Sequence, residues 1–543
     1  MTAVGLWTIG LALAYTLFLV VGGRAARARA AQGGYFVGAR SFRPATVAFC
    51  ITGLFSGSSF IAILELSYRT GVSALWYGVA EIVQILLIAL LLVVPLRKRL
   101  VVTVSGLIGD RFGRTARAVG GAITAFAFPM WSVATAIAFA TALSAVTGLS
   151  VRAAVVVTAL LLLAFLWGGG MQSVAFTQTA NVAVFAIMLA VAAFAVLAQP
   201  GWQALVELSG TRPDLADVTG AGAPLIVAWF GTFVVNVILA QAAFQMAMSC
   251  RTPEEGRTGL VRAAWLAVPF IVLGVAVGVA AALTLPGEQL GLLGVARYIT
   301  EVVPAPVAAV FFLGLWACAI GWGGPCQFSG ATSLGRDVGS ALNPRASQAD
   351  LVRYTRWSLV LLTVLMIVFG FLRTEESAWW NVLAWTLRNG ATLAPVLAVL
   401  FWPVATRLAA LAALLVGFSA GLAWYQLGAW DPVTFHLGVH PVWVGMSLNV
   451  LTLLLVTLVH PPWAVTTEPS RRRRGGLALA GAAAVGTASA LGWDTLHPLG
   501  LSGLALFTTV ALLAAAAFVL VRERGAPVLR TTELVAAEPA SAR

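Results

Sequence analysis

A chain of 543 residues that is 60% hydrophobic and 10% charged, with a mean hydropathy of +0.94, is excluded from the soluble globular class, where about a quarter of residues are charged. It reads as an all-α polytopic membrane protein. The net charge of +13 rests on arginine, Lys98 being the one lysine, and its distribution points to membrane orientation and not to nucleic acid.

No basic residue precedes the first apolar segment, so a cleavable signal peptide is not expected. Apolar runs of about 20 residues predict fifteen spans in chain order: 3–22, 44–66, 73–95, 118–147, 151–168, 172–198, 224–248, 261–284, 303–333, 351–372, 378–402, 407–426, 441–460, 476–492 and 501–521. The fourth is long enough to hold a re-entrant or tilted portion. The tail from Gly525 onward is rich in Pro, Glu and Ala and is expected to be disordered.

Charge placement orients these spans. With the N-terminus outside, 27 of the 33 Lys and Arg fall in cytoplasmic loops and their flanks, including Arg471–Arg474. The exceptions are Arg69, Arg152, Arg212, Arg297 and Arg373 in outer regions and Arg388 within a span, while the outer loop 199–223 carries Glu207, Asp214 and Asp217. This positive-inside bias predicts a multi-pass cell-membrane protein with an external N-terminus and a cytoplasmic C-terminus.

Enzyme constellations are missing from the sequence. It carries no phosphate loop or CxxC pair. Cys50, Cys250, Cys318 and Cys326 lie in or near apolar segments at no metal-like spacing and read as small buried hydrophobes. His436 and His440 stand four apart in a Pro- and Trp-containing outer loop near Asp431, which reads as loop and not as a metal site. Gly274 and Gly278, spaced as GxxxG, are expected to be helix-packing surfaces.

Polar residues inside spans are more informative. The second span contains "TGLFSGSSF" (52–60), placing Thr52, Gly53, Ser56, Gly57, Ser58 and Ser59 in hydrocarbon. Backbone that leaves helical geometry there must be shielded by protein or line a cavity. Glu81 lies mid-span with Gln84 three positions on, and Arg388 lies about ten residues into the eleventh span, followed by Asn389. Charges at that depth cost at least about 2.5–3.5 kcal/mol and normally face a cavity or a partner.

Several stretches resemble one family. "YFVGARS" (35–41), "TVSGLIGDRFG" (103–113), "GGMQSVAFTQ" (169–178), "RTPEEGRTG" (251–259), "TSLGRDV" (332–338) and "APVLAVLFWPVATRLAALAALLVG" (394–417) are similar, in the same order, to signatures of the sodium:solute symporter family. The resemblance implies a LeuT-type fold of two five-span inverted repeats with broken helices at the midplane, here 44–198 and 199–402. It also implies an N-terminal segment 1–43, C-terminal helices over 403–521 and a tail 522–543. On that fold "TGLFSGSS" is expected to be the unwound part of the first broken helix. "WFGTFVVNVILAQ" is its counterpart, so Thr52, Gly53, Ser56, Ser58, Ser59, Gly231, Thr232, Asn236 and Gln241 join Arg388 as candidate solute-binding residues.

The sequence departs from the family at the sodium site. Where the family supplies a Ser-Thr pair on the ninth span, this chain has Trp322 beside Gly321 or Gly323, and Gln178 stands where the family has aspartate in "WTD". The expectation is a secondary transporter for a small polar organic solute with lost or altered sodium coupling. It needs no cofactor or bound metal, and its partners are the solute, a proton or sodium, and the lipid bilayer, with no nucleic acid. Glu81 and Gln178 are the coupling-ion candidates. The alternative is a non-transporting sensor on the same fold. Single cysteines introduced at 199–223 or 427–440 should react with an impermeant reagent from outside, and cysteines at 461–475 should not. Outside labelling of the Arg471–Arg474 loop would reverse the orientation.

Overall fold

The computed structural model describes residues 2–23, 35–94, 102–167, 170–287, 291–374, 377–431, 434–460 and 463–524. The expected disordered tail from Gly525 lies outside them. The principal helices are α1 (Ala3–Gly22), α2 (Pro44–Ile51), α3 (Gly57–Thr70), α4 (Leu75–Leu87), α5 (Val104–Phe112), α6 (Arg114–Thr147), α7 (Val151–Leu166), α8 (Gly170–Ala198), α9 (Ala223–Asn236) and α10 (Gln241–Ala247). They continue as α11 (Pro253–Thr284), α12 (Gly291–Val302), α13 (Ala305–Thr332), α14 (Gln348–Leu372), α15 (Ser377–Phe401), α16 (Arg407–Leu427), α17 (Pro441–Val459), α18 (Pro469–Leu491) and α19 (Ser502–Leu520).

The helices start where the sequence supplies a cap. Thr2, Thr103, Ser150, Thr252, Ser347 and Thr406 each accept a first-turn N–H, satisfying donors that a helix leaves open at its N-terminus. Within the described residues each of the fifteen predicted stretches is mainly helical, the one at 224–248 being interrupted at 237–240. Among the described residues eleven helical runs are long and apolar enough to cross a membrane. One of them, Pro44–Leu92, has 49 residues and would be about 74 Å long as one rod, more than twice the hydrocarbon thickness. The turn Gly71–Ala74, entered at Gly71 with φ +62°, folds it into two crossings. Helix α7 is shorter, at 16 residues, and α18 falls outside the eleven.

Two expectations need correction. The fourth span holds no re-entrant portion: α6 is one helix of 34 residues carrying Pro129 inside it, so its surplus length extends toward Arg114. Nor is the second span unwound. Thr52–Ser56 form a single π-helical turn joining α2 to α3, with the Gly57 N–H bonded to the Thr52 carbonyl. A π-turn is wider than an α-turn by one residue, so the helix continues through this stretch and the Thr52 carbonyl keeps a backbone partner. The true break lies further along the chain. Helices α9 and α10 meet at 46° across residues 237–240, inside the stretch "WFGTFVVNVILAQ" and between Asn236 and Gln241.

Helix α13 is the centre of the molecule, buried without interruption from Gly314 to Thr332. A helix that is apolar all round has neighbours all round, and here α1, α6, α8 and α14 surround it. Glycines set the closest approaches. Gly274 and Gly278 of α11 lie on Ile63 and Ser67 of α3, the packing role expected for the GxxxG pair. A Cβ on Gly417 of α16 would sit 1.8 Å from the Gly390 carbonyl oxygen of α15, and Gly445 of α17 meets the same point. Beyond this bundle α18 packs on α19, clipped by antiparallel strands β1 (Trp463–Val465) and β2 (Val521–Glu523). There Glu468 pairs with Arg471 at 3.1 Å and Arg522 at 3.2 Å.

Because the obstacle at Gly417 is backbone, Gly417→Ala should cost about 1–3 kcal/mol and lower the thermal midpoint of the purified protein. Gly10→Ala, with nothing within 4 Å of its added carbon, should leave the midpoint within error. Equal midpoints for the two variants would refute the three-helix contact.

Candidate functional site

The break between α9 and α10 lies beside a small central cavity of about 20 Å³, space for about one water. Its walls are Leu54 and Phe55 of the π-turn, Phe128 and Trp131 of α6, Asn236 and Ala240–Ala243 at the break, Trp322 and Cys326 of α13, and Trp385 and Arg388 of α15. The lining is aromatic with few polar groups, the usual chemistry of a small-molecule site.

Arg388 is its one charged wall, buried to 2% exposure. The guanidinium carbon lies 4.5 Å from the Trp131 ring centroid and 5.9 Å from that of Phe128. One terminal nitrogen donates to Asn236 Oδ1, and to Asn389 Oδ1 at 3.1 Å. Nε has no partner, and no carboxylate among the described residues is paired with the group. Aromatic faces and amide oxygens stabilise a guanidinium but do not neutralise it. The cavity therefore keeps a positive charge with donor capacity to spare.

The other sequence candidates divide by where their side chains point. Asn236 ends α9 and reaches Arg388. Gln241 begins α10 beside the cavity, but its amide is committed elsewhere. It accepts from Val104 N at 3.0 Å and donates to the Ser329 carbonyl at 3.0 Å and to Ser333 Oγ at 2.9 Å. Gly231 is removed from the cavity, since a Cβ there would strike the Trp443 ring at 1.9 Å. Thr232 and Ser58 are buried away from the lining, as are Thr52 and Ser56, whose hydroxyls lack partners. Ser59 donates to Glu81 on α4, outside the cavity.

A second polar cluster lies behind the π-turn. Gln178 of α8 donates through Nε2 to the Gly321 carbonyl at 2.6 Å and accepts through Oε1 from Asn181 at 3.2 Å. Asn181 also donates to the Ala317 carbonyl at 3.1 Å and accepts from Tyr15 of α1 at 2.7 Å. Gly53 lies against the Gln178 amide, and the Gly53 carbonyl faces Gly321. Trp322 points the other way, into the cavity, beside Trp131 at 6.3 Å and Phe55 at 6.1 Å. Gly323 backs onto α6, where Ser132 donates to its carbonyl at 3.2 Å.

Sequence reading missed Phe55, Phe128, Trp131 and Trp385. Trp385 was within reach, since it precedes Arg388 by three positions and shares its helical face. Phe128 and Trp131 sit in an apolar run that offers no signal separating cavity wall from core. Tyr15 and Asn181 depend on α1 meeting α8, which no local pattern encodes.

Comparison with known proteins follows this geometry. Residues 35–243 match the sequence profile of one family. That family is the sodium:solute symporter family. A curated relative, the uncharacterised symporter YwcA of Bacillus subtilis (strain 168), is 22% identical over 402 residues, spanning 69% of this chain and 77% of that protein. Among solved structures, a Na+-coupled sialic acid symporter in a substrate-bound outward-open state superposes with a TM-score of 0.68 at 16% identity, covering 84% of this chain and 98% of its own. The nucleobase-cation-symport-1 family transporter Mhp1, closed on bromovinylhydantoin, gives 0.50 at 13% identity, covering 78% and 95%. The fold is thus the LeuT-type transporter fold, and these neighbours are transporters rather than enzymes.

In symporter terms, the Gln178 cluster occupies the region that the sequence resemblance assigned to sodium. The residues present fit a cation poorly: an amide N–H points at the Gly321 carbonyl, and Gly321 and Gly323 carry no hydroxyl. Replacing Gln178 by Leu leaves that carbonyl without its donor and should lower stability by about 1–3 kcal/mol, read as a fall in denaturation midpoint. An unchanged midpoint would mean that the amide cluster does not tie α8 to α13.

Proposed function

We propose that this chain is a secondary transporter for a small organic anion, with Arg388 as the group that recognises the solute's negative charge. One observation carries the reading: a guanidinium inside an aromatic-lined cavity beside a helix break, bound only to amide oxygens and with Nε free. A planar carboxylate is the natural complement, because it accepts two parallel N–H bonds from the guanidinium fork. In a state open wider than this one-water cavity, Asn236 and the edges of Trp131, Trp322 and Trp385 surround the remainder of the solute. The sialic acid named for the structural neighbour is itself a carboxylate, which agrees with this class without naming the solute.

In this reading the cycle is alternating access, with the repeats 44–198 and 199–402 moving about the site and the N-terminus outside the cell membrane. Sodium has no role at the position of Gln178. A sodium ion must exchange its hydration shell for several oxygens, and here the amide donor already uses the Gly321 carbonyl.

The test is a thermal-shift and uptake series with small carboxylates, amino acids, sugars and nucleobases. A carboxylate should stabilise the wild type, and Arg388→Gln should weaken that ligand at least tenfold, the loss of one charge-assisted bidentate contact being worth about 1.5–3 kcal/mol. Asn236→Leu should weaken it as well. Uptake into proteoliposomes should be equal in sodium and choline buffers at one pH. Preference for neutral solutes in both wild type and Arg388→Gln would defeat the anion reading, and steep sodium dependence would defeat the sodium-free cycle.

A further inference from the structure

The π-turn presents three faces. Gly53 and Gly57 lie against α8 and α13, Leu54 and Phe55 line the cavity, and the serine face turns to α4. On that third face Ser59 donates to Glu81 Oε2. Glu81 is buried to 2% exposure, and its Oε1 has no partner. Helices α3 and α4 run antiparallel around the turn Gly71–Ala74. One helical turn deeper on each stand Ser56 and Gln84, fully buried, with the Ser56 hydroxyl and both Gln84 amide atoms unpartnered. Around the Ser59–Glu81 bond, the π-turn and α4 thus add two further buried polar side chains with unused capacity.

No cation answers that carboxyl. On its own helix Glu81 is flanked by Tyr77 and Gln84, and α3 adds Ser56, Ser59 and, further outward, Glu65. Helix α9 contributes Trp229 and Phe233, packed on Tyr77 at 5.6 and 5.2 Å, and α15 contributes Trp385 at 6.4 Å. Helix α11 lies on α4 with Ile271 at Gly78 and Gly256 near Val93. That register places the apolar stretch 264–271 opposite Glu81, and Glu254, Glu255, Arg257 and the exposed Arg262 toward the cytoplasmic end. Arg388 is engaged by Asn236 and Asn389. A buried carboxylate without a counter-charge is costly, and binding H+ removes the cost. The neutral acid still accepts from Ser59 and needs no counter-charge.

We propose that Glu81, with Ser59, Ser56 and Gln84, is a proton-binding site that drives the transporter in place of the sodium position closed by Gln178. The carboxylate takes up H+ when the site is open to one side of the membrane and returns H+ when open to the other, so charge and atoms balance over the cycle. This inference rests on the transporter reading but not on the identity of the solute.

Infrared difference spectroscopy of the full chain in lipid nanodiscs, without solute, tests it. The wild type should show a protonated-carboxyl C=O stretch at neutral pH that disappears on alkalinisation. Glu81→Gln should lose that titrating band entirely, and Glu81→Asp, which keeps a carboxyl, should retain it at an altered frequency. Exchanging choline for sodium at fixed pH should leave the band in place. A wild type with no titrating band, or a band that persists in Glu81→Gln, overturns the assignment. Loss of the band in sodium would make the site a metal-ion site and overturn the proton. Since no solute is added, neither this result nor the Arg388 solute test decides the other.

Discussion

Backbone inside hydrocarbon must find its hydrogen-bond partners within the protein, and the break between α9 and α10 is where that constraint bears hardest. Residues 237–240 leave the helical ladder and close short local bonds, Leu239 N to Asn236 O at 2.9 Å and Gln241 N to Leu239 O at 2.7 Å. Side chains brace both ends. Gln241 ties the start of α10 to α5 and α13, and Asn236 ties the end of α9 to Arg388 of α15. Three other helices therefore converge on one break. The cavity is the space left where they cannot close on each other.

The two polar centres on either side of the π-turn solve opposite problems. Behind it, Gln178 and Asn181 form a neutral amide cluster in which donors meet carbonyls and the Tyr15 hydroxyl. Such a network fixes the spacing of α1, α8 and α13 without introducing charge. In front of it, Arg388 holds a charge that aromatic faces and amide oxygens accommodate but leave uncompensated. The first centre is closed by its own hydrogen bonds; the second keeps donor capacity open toward the cavity.

Small residues make this arrangement possible. Gly390 follows Arg388 and Asn389 directly, and its carbonyl abuts Gly417 while Gly445 packs on the same spot. The arginine is thereby carried on a helix with little room to slide. Nearer the N-terminus, Gly53 yields its side-chain volume to the Gln178 amide and Gly78 to Ile271, so the π-turn and α4 are held with the same economy. The C-terminal pair α18 and α19, clipped by two short strands, lies outside this geometry and touches the core mainly through α17.

Much of the architecture follows from the sequence alone, because apolar run length and arginine placement are local properties that the bilayer reads directly. The apolar helical stretches and the family likeness were legible in that way. Partnership was not. That Gln241 braces the break, that Gly231 serves Trp443 and not the cavity, and that "TGLFSGSS" stays paired as a π-turn depend on which helices meet. A polar residue in a span announces only that it needs company. Whether that company is a carbonyl, an aromatic face or a passing solute is decided by neighbours hundreds of residues away, and those are set only when the bundle packs.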